Sequence, residues 1–89
     1  MKLVRKIKVK NSLGLHTRPA ASIVKLLQPH KSSVSFTHKN ETINARSIMS
    51  ILMLAAKKNS VIEVTVEGED AELTMEHLVS AFEMEFGEK

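Results

Sequence analysis

His16 and Arg18 are the residues of this chain whose types and spacing could do chemistry together. They stand in the segment Gly14-Leu15-His16-Thr17-Arg18-Pro19-Ala20, just before an apolar pattern of helical period. A histidine in a loop is usually a solvated side chain, so its setting has to carry the argument. A helix start gathers free backbone N–H groups and the positive end of the helix dipole. Together these make an anion site suited to phosphate. Arg18 adds a planar guanidinium that can hold phosphate oxygens in pairs. Positive surroundings disfavour protonated imidazole, and a neutral ring is what an attack on phosphorus requires. Gly14 is read as letting a docking group come close to the backbone. The chemistry expected is phosphate handling by His16, with nothing nearby that would hold the group permanently as a metal cage would.

Three other histidines carry less. His30 follows Pro29 and reads as a loop residue, His38 lies on a short strand, and His77 falls within a helical pattern. No pair of them has a convincing metal-ligand spacing with a third partner, so no metal site is expected and all three are taken as structural.

The elements that must position His16 can be read from periodicity. Residues 2 to 9 alternate, with Leu3, Ile7 and Val9 on one side and Val4, Lys6 and Lys8 on the other, as a half-buried strand does. Asn11-Ser12-Leu13-Gly14 interrupts it as a loop. From Arg18, the residues Ala20, Ile23, Val24, Leu26 and Leu27 recur at helical spacing, with Pro19 in the tolerant first turn and Pro29 forcing an end near Gln28. Val34, Phe36 and His38 mark a second strand, and Lys39-Asn40 a tight turn into a third around Thr42 to Ala45. Ser47 offers an N-cap for a helix through Ile48, Met49, Ile51, Leu52, Met53 and Leu54, with Lys57, Lys58 and Asn59 closing it. A fourth strand follows from Val61 to Glu67, with Ile62, Val64 and Val66 on its apolar face. The last helix is lined by Ala71, Met75, Leu78, Phe82 and Phe86. The order β-α-β-β-α-β-α predicts an α+β fold: an antiparallel sheet covered by helices on a single face.

Composition narrows the function classes. Eighty-nine residues make one domain, positions 1–89, with no room for a separate catalytic module. The chain has no Cys, so neither disulfides nor thiolate metal sites are available. Charge interrupts the N-terminal apolar residues, which argues against a signal peptide, and no apolar run is long enough for a bilayer. A cytoplasmic protein without membrane insertion is expected, and the sequon Asn40-Glu41-Thr42 is then without consequence. The net charge of +3 is uneven, with basic residues crowded between Lys2 and Lys10, which suits an acidic partner. Nucleic acid is the competing partner, but a base-stacking sheet presents two or three aromatics. Here the only aromatics are Phe36, Phe82 and Phe86, the last two in the final helix, so no nucleic acid is expected.

The segment Gly14 to Ala20 resembles the active-site motif of HPr, the histidine-containing phosphocarrier family of the bacterial sugar phosphotransferase system. Asn44-Ala45-Arg46-Ser47-Ile48-Met49 resembles the second signature of that family, and Val66-Glu67-Gly68-Glu69-Asp70 with Glu76-His77-Leu78-Val79 is similar to its final strand and helix. The resemblance spans essentially the whole chain. It implies an open-faced sandwich of four antiparallel strands with three helices on one side. It implies that His16 accepts a phosphoryl group on Nδ1 from phosphorylated enzyme I and donates it to a histidine of an enzyme IIA domain. Arg18 would stabilise the transferring group, and the backbone amides of Thr17 and Arg18 would face it. No metal or organic cofactor is implied.

Ser47 corresponds to the serine modified by HPr kinase/phosphorylase in many bacteria. A phosphoserine at a helix N-cap would add about −1.5 to −2 charge where the dipole welcomes it and would repel an acidic partner. Against this stands the plain reading that Ser47 only caps a helix, and Ser50 occupies a place where the family often has glycine. Asn59 likewise stands where relatives often carry glycine. Ile48, Met49 and Leu52 occupy positions that form the partner-docking patch in HPr-like proteins. This helix has more apolar residues than one buried face needs, since Ile51, Met53 and Leu54 are also available to the core; Ile51 and Leu54 are expected inside. Partner encounters should be transient, and the protein a monomer. The alternative function is that of a nitrogen-branch or regulatory HPr-like protein not coupled to sugar uptake; retention of His16 and Arg18 argues against a serine-only role.

Overall fold

The computed structural model describes residues 1–88. Its elements are β1 (Lys2–Lys8), α1 (Thr17–Leu27), β2 (Ser33–His38), β3 (Glu41–Asn44), α2 (Ile48–Leu54), β4 (Val61–Glu67) and α3 (Ala71–Glu83), followed by a 3-10 turn (Glu85–Gly87). The strands form one antiparallel sheet in the order β1-β4-β2-β3. This is the open-faced α+β sandwich expected, with three helices over one face.

Register explains the two faces. Arg5 pairs with Val64, Val64 with Phe36 and Phe36 with Ile43, so one row crosses all four strands beneath the helices. Because side chains alternate along a strand, Ile62, Val64 and Val66 share that face with Val34 and Phe36, and all five are buried. The opposite face pairs Lys2 with Glu67 and Lys6 with Glu63, opposite charges side by side on an open surface. Ile23 and Leu27 of α1, Ile51 and Leu54 of α2, and Met75, Leu78 and Phe82 of α3 close the core from above. The hairpin between β2 and β3 is tight because Lys39 and Asn40 both take positive φ, 49° and 66°, as a two-residue turn requires.

Three expectations about helix ends and faces are corrected. α2 stops at Leu54, not at Lys57 to Asn59: Ala55 turns left-handed at φ 53°, and the Ala56 carbonyl leaves the helix to accept from the Leu15 N–H at 2.9 Å. Asn59 is left-handed as expected, at φ 73°, but it serves the turn into β4, where its N–H donates to the Val9 carbonyl at 2.7 Å. Phe86 is not on α3 but in the 3-10 turn beyond it, folded back so that its ring meets Phe82 edge-on at 4.9 Å. Met53, counted as available to the core, is exposed.

Candidate functional site

His16 is the N-cap of α1, with extended backbone and no capping side chain. The first turn holds no acidic residue, and Pro19 has no N–H to offer. The earliest hydrogen bond within the helix runs from the Ala20 N–H to the His16 carbonyl at 3.0 Å. Among the described residues, the amides of Thr17 and Arg18 are therefore the unpaired donors at this helix start, in exposed residues, where the dipole is positive. The Arg18 side chain is exposed and, among the described residues, makes no ion pair. His16, Thr17 and Arg18 thus stand together at the start of α1.

The loop before His16 is held from beneath. Gly14 is buried at φ +67°, and a Cβ there would collide with the Ala56 carbonyl oxygen and the Lys57 backbone. Its role is packing of the loop against the segment after α2, not access for a docking group. Asn11, 1% exposed, donates from Nδ2 to the Gly14 carbonyl at 2.6 Å.

The same Asn11 nitrogen donates at 2.9 Å to Glu88 Oε1. The other carboxylate oxygen, Oε2, lies 2.8 Å from His16 Nε2. That nitrogen is closed off from solvent, although about a third of the His16 side chain is exposed (33%). The carboxylate approaches at ion-pair distance without the alignment of a regular hydrogen bond. Desolvation pushes the Glu88 carboxyl up, but His16, the Asn11 hydrogen bond and the charge of Arg18 outweigh it and hold the group below the usual carboxylate range. Sequence reasoning missed both Asn11 and Glu88. Neither belongs to the motif around His16, and the contact spans 77 positions of sequence between Asn11 and Glu88.

Around α2, Ser47 is the N-cap, its hydroxyl accepting from the Ser50 N–H at 3.2 Å. Ile48 and Met49 are exposed, Met49 at 70%, whereas Leu52 is half-buried and packs on the core. Leu13 and Met53 are exposed at 73% and 71% and were not expected in a surface patch. The bond from Leu15 to Ala56 joins the loop carrying Leu13 and His16 to the segment just after α2.

A family model described as "PTS HPr component phosphorylation site" matches residues 3–84. The chain belongs to the HPr family. The phosphocarrier protein HPr of Chlamydia muridarum is 44% identical over 80 residues, 90% of this chain and 77% of the relative. HPr of Xylella fastidiosa strain Temecula1 is 37% identical over 97% of both chains. Among solved structures, HPr-C-His from Thermoanaerobacter tengcongensis superposes with a TM-score of 0.93 at 36% identity, covering 98% of each chain. HPr from Bacillus anthracis has a TM-score of 0.86 at 33% identity, over 91% of this chain and 96% of that one. The HPr fold and the role of a phosphocarrier of the phosphotransferase system are therefore those of this chain. No helix among the described residues is long and apolar enough to cross a membrane.

Proposed function

We propose that the chain, acting as a cytoplasmic monomer, accepts a phosphoryl group on Nδ1 of His16 from phosphorylated enzyme I and passes it to a histidine of an enzyme IIA domain. The observation that carries this reading is the sealing of Nε2: with that nitrogen under Glu88, Nδ1 is the ring atom left to attack. Arg18 and the amides of Thr17 and Arg18 take the phosphoryl oxygens, whose charge the helix dipole favours. Ile48, Met49 and Leu52, extended by Leu13 and Met53, offer a small apolar surface for brief partner contact. Ser47 is the site for HPr kinase/phosphorylase: its hydroxyl sits at a helix start, and a phosphate there would place charge beside that patch.

Phosphotransfer from phosphoenolpyruvate through purified enzyme I tests the reading. Acid-labile, base-stable phosphate is expected on wild type and not on His16→Ala. Absence of label with any competent enzyme I would leave the alternative of a regulatory HPr-like protein.

A further inference from the structure

A carboxylate against the buried nitrogen of a reactive histidine is the arrangement by which many sites set a tautomer. Here it comes from Glu88, beyond residues 3–84 that define the family match, so family membership alone does not supply it. The chain adopts a demanding path to place it there. After α3, Glu85 and Phe86 take left-handed backbone, φ 53° and 54°, a conformation side chains other than glycine's resist. Edge-on packing of the partly buried Phe86 ring against Phe82 anchors this reversal, and the Glu88 N–H closes it on the Glu85 carbonyl at 2.9 Å. Lys10 adds a rung outside, its Nζ 3.0 Å from Glu83 Oε2. The carboxylate itself is fixed at both oxygens, by Asn11 on one side and His16 on the other.

We propose that Glu88 is a positioning residue for phosphoryl transfer, holding His16 in the Nε2–H tautomer and offsetting the charge that the ring gains. The proposal rests on the reading of His16 as acceptor. In the transfer, the Nδ1 lone pair forms a bond to phosphorus. The bond from phosphorus to the donor nitrogen breaks, and its electron pair returns to the donor ring. The Nε2 proton stays on His16, so the phosphorylated ring carries positive charge facing Glu88 Oε2. When the group leaves for an acceptor, the electron pair of the N–P bond returns to Nδ1. Arg18, on the exposed side, keeps the negative carboxylate from repelling the incoming group: its charge is felt at Glu88 as well.

The test compares wild type with Glu88→Gln and Glu88→Asp. One measurement is the ¹⁵N chemical shift pattern of His16, which reports the tautomer without any partner. The other is the rate of phosphoryl acceptance from phosphorylated enzyme I. Glu88→Gln should lose the Nε2–H preference and accept about three- to tenfold more slowly, the range expected from one partly exposed charged contact. Glu88→Asp should recover part of both. An unchanged tautomer overturns the proposal, and so does a faster Glu88→Gln, which would make Glu88 a shield. Failure of wild type to take label on His16 overturns the phosphocarrier reading instead, and the tautomer measurement then decides the Glu88 contact by itself.

Discussion

Helix α1 has a histidine at each end, and both stand near a carboxylate, yet the two environments differ in almost every respect. His16 precedes the first turn, is partly exposed, and has one nitrogen sealed against Glu88. His30 follows the last turn, its N–H donating to the Leu27 carbonyl at 3.0 Å, and it is buried. Both of its ring nitrogens are occupied. The Thr74 hydroxyl donates its proton to the Asp70 carbonyl at 2.8 Å, so it must accept from His30 Nδ1–H at 3.0 Å. His30 Nε2 in turn shares a hydrogen bond with His77 Nδ1, also at 3.0 Å. Arg46 completes this end, reaching the carbonyls of Leu27, His30 and Ser32 at 2.9, 2.7 and 2.7 Å. A cation at the C-terminal carbonyls and an anion site at the N-terminal amides are the two answers one helix dipole invites. The lesson is that a histidine beside a carboxylate does not make a reactive site. A ring with every nitrogen engaged is structure; a ring with one nitrogen held and the other left open can react.

The largest effect should come from setting the two histidines against each other. His16→Ala should abolish phosphoryl acceptance, while His30→Ala should leave it within about twofold, since distant sites act independently. His30→Ala should instead lower stability by about 1–3 kcal/mol through its orphaned partners, read by urea unfolding. If His30→Ala also stops acceptance in the folded protein, the contrast between the two ends fails.

Arg46→Met sharpens the same contrast from the other side. It removes the guanidinium from three carbonyls at the C-terminal end of α1, of which Leu27's keeps the His30 N–H, and should cost about 3 kcal/mol in urea unfolding while transfer per folded molecule is retained.

Asp70 should give that end its pH dependence. The Ser32 hydroxyl and the Lys31 N–H, opposed by desolvation and helped by the Ser32 N–H and the His30 charge, hold its carboxyl well below the usual range. A carboxyl lowered on folding stabilises the protein above its unfolded value, about 3.9, and loses that contribution as pH falls towards its folded value. Asp70→Asn should therefore unfold at lower urea than wild type at pH 7, and the gap should close in strongly acid solution. A gap that stays constant with pH would mean that the ionised carboxylate is not what stabilises this end.

The smallest change expected is at Ser47. Ser47→Ala removes the cap on α2 and should cost about 1 kcal/mol. Ser47→Asp should keep the cap and slow acceptance from enzyme I, and circular dichroism melts with transfer rates separate the two effects.

Much of this was legible locally. Alternation in Val61 to Glu67, the turn at Lys39-Asn40 and the N-cap at Ser47 are short-range patterns that the structure keeps. His16 and Arg18 were legible because a helix start is written in a few adjacent residues. Where reading failed, the cause lay across the chain. α2 ends early because Leu15 needs the Ala56 carbonyl, and Met53 faces out because Ile51 and Leu54 already fill the space beneath. His30 and His77 were read as structural, but not as partners, since 47 positions separate them.

The sequence by itself determined the strand and helix order, most of the apolar face of each element, and a helix start at His16. These follow from periodicity and from chain neighbours, which tertiary contacts did not overrule. Only the tertiary structure decided which nitrogen of His16 is covered, that Asn11 and Glu88 cover it, and which histidine is locked into a network. Each of those depends on the position of a side chain brought from a distant element, and no spacing within one element encodes it.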